Sequence, residues 1–305
     1  MSNKPLVSVM IATYNQKDYL KENIDAILLQ DYGLENIEIV VADDCSTDGT
    51  QNMLLEYKSK YPNNFRLILS DKNQGITKNV NKALFSCSGK YIFVMGGDDL
   101  MYQGKISSQV KILEENPDIA ICYHDLEVFK IKGGVKKVLY LFSSLATPRE
   151  GKKDVVAKYG CFMGATSVAF KSEYVPNGGY NELLPFASDF LFVYQILEKS
   201  GKNIYYINKV LGGYRRHDGN ITSKRNVQQV VKNTIDHLNS NNIILANNQN
   251  LGREYLYKTS ADILRLRYVD NIYFKILLMS FIARPRIKVL GAIGVYLLTL
   301  GRVKL

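Results

Sequence analysis

Leu6-Val7-Ser8-Val9-Met10-Ile11-Ala12-Thr13 and Ile37-Glu38-Ile39-Val40-Val41-Ala42 are short runs rich in β-formers. The second is nearly continuous in Ile and Val, which fits a strand buried on both faces of a parallel sheet. Between them, Lys17 to Gln30 carries Ile24, Ile27 and Leu28 at helical spacing. The alternation continues outward, with a helix from Asp48-Gly49-Thr50 to about Lys60 and a strand at Phe65 to Leu69. A helix from about Thr77 to Ser86 follows, and Gly89 precedes a fourth strand at Tyr91 to Met95. This order implies right-handed crossovers and an α/β fold, a mostly parallel sheet with helices on both faces. Ligands of such sheets bind beyond the carboxyl ends of the strands. Those ends read Ala12-Thr13-Tyr14-Asn15, Asp43-Asp44 and Gly96-Gly97-Asp98-Asp99, polar where a ligand is expected.

Beyond Lys105 the pattern predicts a helix to about Glu115, then β-rich runs at Ile119 to Lys130 and Val135 to Phe142 around a Gly133-Gly134 hairpin turn. A helix near Ser188 to Lys199 and a strand near Asn203 to Ile207 complete a unit assigned to residues 1–220. Residues 221–305 read as a polar, Asn-rich, helical C-terminal extension. The 46% apolar and 22% charged composition over 305 residues excludes disorder and fibrous architecture. No apolar run reaches about eighteen residues, which argues against a standard membrane-spanning helix. Met1 to Pro5 leaves no room for a signal peptide before the first strand. Four cysteines lie far apart with no CxxC pair, so neither a zinc site nor a disulfide framework is expected. A cytoplasmic location follows from these readings.

The strand-end acids carry the chemistry. Adjacent carboxylates at Asp98-Asp99 repel unless a cation or donor compensates them, and a hard divalent ion with phosphate oxygens would do so. The plainer reading is a solvated turn. Asp43-Asp44 precedes Ser46-Thr47-Asp48-Gly49, where Ser46 or Thr47 is a candidate helix cap. Capping leaves the two aspartates unexplained, and one of them suits hydrogen bonding to a base or ribose.

Val7 to Asn15, Val41 to Thr50, Asn73-Gln74-Gly75, Gly89 to Ile92 and Gly97-Asp98-Asp99, taken in order, closely resemble the family 2 glycosyltransferases. The resemblance covers about residues 5 to 220. It implies the GT-A fold, a Rossmann-like sheet, and transfer of a sugar from a nucleoside diphosphate donor with inversion at the anomeric carbon. UDP is the expected nucleotide, being the family's commonest. The resemblance puts Ala12, Tyr14 and Asp44 around the nucleoside, with Asp43 supporting them and Lys78 as a diphosphate contact. Asp98 falls to the ribose or donor sugar, and Asp99 to Mn²⁺ or Mg²⁺. Glycine stands at the first acidic position of the D-x-D element, Gly97, which weakens any claim of three carboxylates around the metal.

Ala187-Ser188-Asp189-Phe190 matches the family's acidic-Asp element, so Asp189 is the expected catalytic base, although Ser188 replaces the usual Glu. An Asp at a helix start is also stabilised by the helix dipole. Tyr214-Arg215-Arg216-His217 resembles a Tyr-Arg-x-His segment, and His217 is expected at the metal or the diphosphate. The QxxRW element of processive synthases is absent. A sugar-phosphate nucleotidyltransferase and a non-catalytic nucleotide-sugar-binding protein are the alternatives. The first lacks its Gly-rich loop after the first strand, and the second would not need a base and metal ligands together.

Net charge is +10, and residues 271–305 hold six basic side chains and no acidic one. With apolar stretches at Ile276 to Ala283 and Val289 to Leu300, the tail is expected to bind an anionic membrane surface, or else to pack on protein. The expected partners are therefore a nucleoside diphosphate sugar, a glycan or lipid-linked acceptor, and the inner face of the cell membrane. No nucleic-acid partner is expected, and oligomerisation stays open.

Overall fold

A computed structural model describes residues 4–184, 188–220, 227–265, 273–299 and 301. Met1, Ala187 and Leu300, named above, lie outside them. The first half follows the expected alternation: β1 (Val7–Thr13), α1 (Lys17–Leu28), β2 (Ile37–Asp43), α2 (Thr50–Lys60), β3 (Phe65–Leu69), α3 (Ile76–Phe85) and β4 (Tyr91–Gly96). β5 (Leu100–Met101), α4 (Lys105–Glu115), β6 (Ile119–Lys132), β7 (Val135–Leu141), α5 (Lys153–Tyr159) and β8 (Ala169–Lys171) follow. Then come α6 (Ser188–Ser200), β9 (Asn203–Arg215), α7 (Val227–Asn247), α8 (Gln249–Arg265), α9 (Tyr273–Ala283) and α10 (Ile287–Leu298).

The sheet runs β3-β2-β1-β4-β8-β6-β9-β5, with β7 added to β6. β1 pairs in parallel with β2 and β4, and β2 with β3, which is the expected parallel half. The other half is mixed, because β8 enters antiparallel between β4 and β6. A three-residue strand has too little pattern to be read from sequence. β9 is also longer than expected and reaches Arg215 instead of stopping at Ile207. Its glycines and the register shifts in its pairing with β6 hide the strand signal.

Period-two alternation explains why the parallel strands are apolar on both sides. Val7, Val9 and Ile11 of β1, with Ile37, Ile39 and Val41 of β2, pack beside Leu20, Ile24 and Ile27 of α1 on one face. Met10, Val40 and Ala42 face the other way, where Leu84 of α3, Phe190 and Leu191 of α6, Ile244 of α7 and Tyr255 of α8 join a second cluster. The C-terminal helices thus share a core with the sheet. Among the described residues no helix is long and apolar enough to cross a membrane.

Gly89 leads into β4 where backbone meets backbone. A Cβ there would lie 2.5 Å from the Ser8 nitrogen and 2.7 Å from the Val7 carbonyl carbon. Gly89→Ala should therefore cost about 1–3 kcal/mol of stability by strain between β1 and β4, measurable by urea unfolding.

Candidate active site

β1, β2 and β4 end side by side, with Thr13 opposite Asp43 and Ala12 opposite Gly96. The loops beyond β1 and β2 are locked together. The Asn15 N–H donates to Ser46 Oγ at 2.8 Å, and the Thr47 N–H donates to Asn15 Oδ1 at 2.8 Å. Asn15 (φ 52°) and Cys45 (φ 69°) both adopt the left-handed backbone region, an uncommon state for non-glycine residues that the cross-loop bonds hold in place.

The two aspartates after β2 organise this rim. Asp43, wholly buried, accepts from the Ser46 N–H at 2.9 Å, the Ser46 hydroxyl and Gln51 Nε2 at 2.7 Å. Asp44 accepts from the Gln74 and Gly75 N–H groups at 2.8 and 2.9 Å, which fixes the Asn73-Gln74-Gly75 turn. Ser46 and Thr47 do not cap α2. Gly49 occupies the cap position, while Asp48 accepts from the Thr50 N–H at 3.0 Å. Tyr14 is exposed at the rim, Ala12 is half-buried, and Lys78 is exposed in the first turn of α3. Sequence reading missed Asn79, which donates to the carbonyls of Thr13 and Ala42 at 3.3 and 2.8 Å and ties α3 to two strand ends.

At the end of β4 the structure separates the two remaining aspartates. Asp98 Oδ2 lies 2.8 Å from His217 Nε2 and accepts from Asn220 Nδ2 at 2.8 Å. The Gly219 N–H donates to His217 Nδ1 at 3.1 Å, so neutral His217 carries its proton on Nε2, facing Asp98. Tyr19 packs against the imidazole, with ring centroids 4.6 Å apart. Asp99 is only 4% exposed and accepts the Arg215 N–H at 3.0 Å. Burial, then the Asp98 charge, pushes its carboxyl well above the ordinary value, against the Arg215 N–H and the Thr166 hydroxyl, which lower it. Beneath it the buried Lys105 donates to the Thr166 carbonyl at 2.5 Å, and burial lowers its ammonium to about 7. At Gly97 a Cβ would lie 2.5 Å from Gln16 Oε1 and 2.9 Å from Thr13 Oγ1, so a side chain there requires those two side chains to shift.

Asp98 offers a carboxylate oxygen, and His217 joins it as a nitrogen ligand only in the other tautomer, with Nε2 unprotonated; that pair would fit Mn²⁺ better than Mg²⁺. No group of three or more His, Cys, Asp or Glu residues suited to a metal occurs among the described residues. An Asp and a His alone are an incomplete ligand set, which phosphate oxygens would have to complete for a hard divalent ion to be held.

Asp189 stands in the first turn of α6, its Oδ1 accepting the Phe190 N–H at 2.7 Å. It is solvent-accessible, yet it lines a mainly apolar cavity of about 30 Å³ with Val94, Cys161, Ala165, Tyr180 and Phe192. That is room for a water or a hydroxyl. The surrounding protein pushes the Asp189 carboxyl above its ordinary value. Val94 lies on β4 upstream of Asp98, and Ala165 adjoins the Thr166 that touches Asp99. One strand and one turn therefore connect the base candidate to the strand-end acids.

The model of the family described as Glycosyl transferase family 2 matches residues 8–170. The chain belongs to that family. An uncharacterized glycosyltransferase of Rickettsia typhi is 30% identical over 228 residues, 72% of this chain and 66% of that protein. The chain spans 59–66% of the length of the first five curated relatives. Among solved structures, S. aureus TarS 1–349 in complex with UDP has a TM-score of 0.64 at 18% identity, covering 97% of this chain and 88% of that one. Mannosyltransferase PcManGT from Pyrobaculum calidifontis, in complex with GDP-Man and Mn²⁺, has a TM-score of 0.56 at 16% identity, covering 99% and 82%. At these identities the likeness establishes the fold, a GT-A sheet with C-terminal helices.

In this family 2 chain the C-terminal helices also support Asp189. Phe190 stacks on Tyr255 of α8, centroids 4.3 Å apart and planes 12° from parallel, and the Tyr255 hydroxyl lies 2.5 Å from His237 Nδ1 of α7. Tyr255→Leu should lower stability by about 1.5–3 kcal/mol in urea unfolding, from lost ring burial and stacking. It should also loosen the start of α6, seen as faster amide exchange at Phe190.

Proposed function

We propose that the chain moves a sugar from a nucleoside diphosphate donor, UDP foremost, onto a hydroxyl of a cell-surface glycan or lipid-linked acceptor, with inversion. The observation that carries this reading is the Asp189 carboxylate: accessible, raised above its ordinary value, and set in a hydroxyl-sized cavity one strand away from the Asp98–His217 pair. Asp189 takes the proton of the acceptor hydroxyl as its oxygen bonds to the anomeric carbon and the bond to the diphosphate breaks. A raised carboxylate is the stronger base for this task. One in-line displacement inverts the carbon.

On the donor side, Tyr14 stacks on the base, Ala12 lets it approach closely, and Asp44 bonds its edge with lone pairs not taken by Gln74 and Gly75. Asp43 serves as a positioning residue, since it already accepts three donors from its own loop. Lys78 meets the diphosphate. We assign Asp98, with His217, to the divalent ion instead of Asp99, because Asp99 is buried against the Arg215 backbone. A Mn²⁺ or Mg²⁺ ion held there supplies Lewis-acid stabilisation of the leaving diphosphate. UDP and GDP-Man in the structural neighbours support a nucleotide-sugar donor.

Asp189→Asn should reduce transfer at least a thousandfold while leaving donor affinity, read by calorimetry, within about twofold. Turnover near wild type would remove Asp189 as base. The pH profile supplies a second check. The working form is the carboxylate, so activity falls as pH drops through the Asp189 pKa. That raised value puts the acidic limb of kcat/KM above the ordinary Asp value of about 3.9.

A further inference from the structure

α9 and α10 divide their apolar residues in an unusual way. Along α9, Tyr273, Ile276, Leu277, Ser280 and Ala283 form the buried stripe, while Lys275, Leu278 and Ile282 are exposed. α10 buries no residue at all, although its sequence is almost wholly apolar. Ile287 is 90% exposed and Leu298 87%, with Leu290 and Leu297 also open. Tyr296 holds this helix to α9 by stacking on Tyr273 and Phe274 at 5.5 and 5.4 Å. An apolar helix with no fully buried residue and four large apolar side chains exposed needs an occupant for its outer face.

The charges choose the occupant. Lys275, Arg286 and Lys288 are exposed on or beside these helices, and no acidic residue occurs from 271 to 305. Arg284 is answered by Glu254 of α8 at 3.2 Å, and Arg286 lies over the Tyr257 ring at 5.0 Å. A second copy of the same surface would bring like charges together. We propose that α10 and the outer face of α9 form a docking surface for an anionic lipid bilayer, lying in the headgroup plane.

Twelve residues of helix extend about 18 Å, short of the roughly 30 Å hydrocarbon core, so the helix lies on the membrane and does not cross it. Apolar burial and cationic attraction act together in such helices. α9 rests on α8, whose Tyr255 stacks on Phe190 beside Asp189. The base is thus joined to the docking surface through one intervening helix, with helix axes spaced about 8–10 Å. If the proposed transfer is correct, a lipid-linked acceptor is presented close to Asp189. The docking itself does not depend on that reading.

The test is sedimentation of the full chain with phosphatidylglycerol/phosphatidylcholine vesicles and with pure phosphatidylcholine vesicles. Binding should favour the anionic vesicles at least tenfold and weaken in 0.5 M salt, a test condition of about 4 Å Debye length. Ile287→Glu with Leu298→Glu should abolish it. Arg286→Gln with Lys288→Gln should weaken it about 25-fold, at about fivefold per basic residue. Both variants should keep the wild-type circular-dichroism melt, because all four side chains are exposed. Equal binding to both vesicle types, or undiminished binding by Ile287→Glu/Leu298→Glu, would overturn the proposal. So would a wild-type dimer that the same pair dissociates, since a second copy would then cover the face.

Discussion

The strand-end site rests on one buried cation. Arg215, 1% exposed, ends β9, and its backbone N–H donates to Asp99 while its Nε donates to the Asp98 carbonyl at 2.8 Å. Its guanidinium also pairs with Glu22 of α1 and lies over the rings of Tyr19 and Phe129 at 4.8 and 5.1 Å. Burying a guanidinium costs several kcal/mol unless nearly every donor finds a partner. Here α1 and the turn after β4 answer Nη2 and Nε and Phe129 of β6 lies against the plane, while the buried Nη1 has no hydrogen-bond partner, so these elements must meet in one geometry for Arg215 to be held. That geometry aims Asp98 at His217 two residues later. The same residue that ends the strand therefore orders the Asp98–His217 pair.

The nucleotide rim is ordered by a different device. Asp43 and Asp44 bind backbone and side-chain donors of their own and neighbouring loops, and Asn15 stitches the β1 loop to the β2 loop. Two non-glycine residues in the left-handed region are tolerated because these bonds over-determine the loops. A preformed rim loses less conformational freedom on binding a nucleotide, so more of the contact energy remains as affinity.

The parallel half of the fold was legible because β1, β2 and β4 are buried on both faces and read as continuous apolar runs. β8 was not, since Ala169–Lys171 is too short for a period to repeat. β9 was cut short at Ile207 because Gly212 and Gly213 look like a turn; they are held in the strand, where Gly213 pairs with Leu100 and Glu127. Motif resemblance singles out Asp98, Asp99, Asp189 and His217 and gives Asp99 to the metal and Asp98 to the ribose or donor sugar, whereas the metal assignment we propose falls on Asp98. The turn after β4 and the long-range contacts with Arg215 and His217 place the two aspartates in different surroundings, and sequence separation conceals both contacts. Arg215 itself sat within a recognised segment, yet nothing local marks an arginine as buried. The support of Asp189 by Tyr255 is likewise a contact between distant helices.

The two acidic centres differ in environment, and that difference gives each its chemistry. Asp98 sits against an imidazole, an amide and a second carboxylate, where added positive charge is favourable. Asp189 sits among Val94, Tyr180 and Phe192, where charge is penalised and a proton is welcome. Carboxyls held in environments this different suit the different roles proposed for them, ligand and base. The aromatic layer of Tyr180, Phe192 and Phe190, backed by Tyr255, thus matters to the proposed acid–base chemistry as much as the carboxylate that shares its pocket.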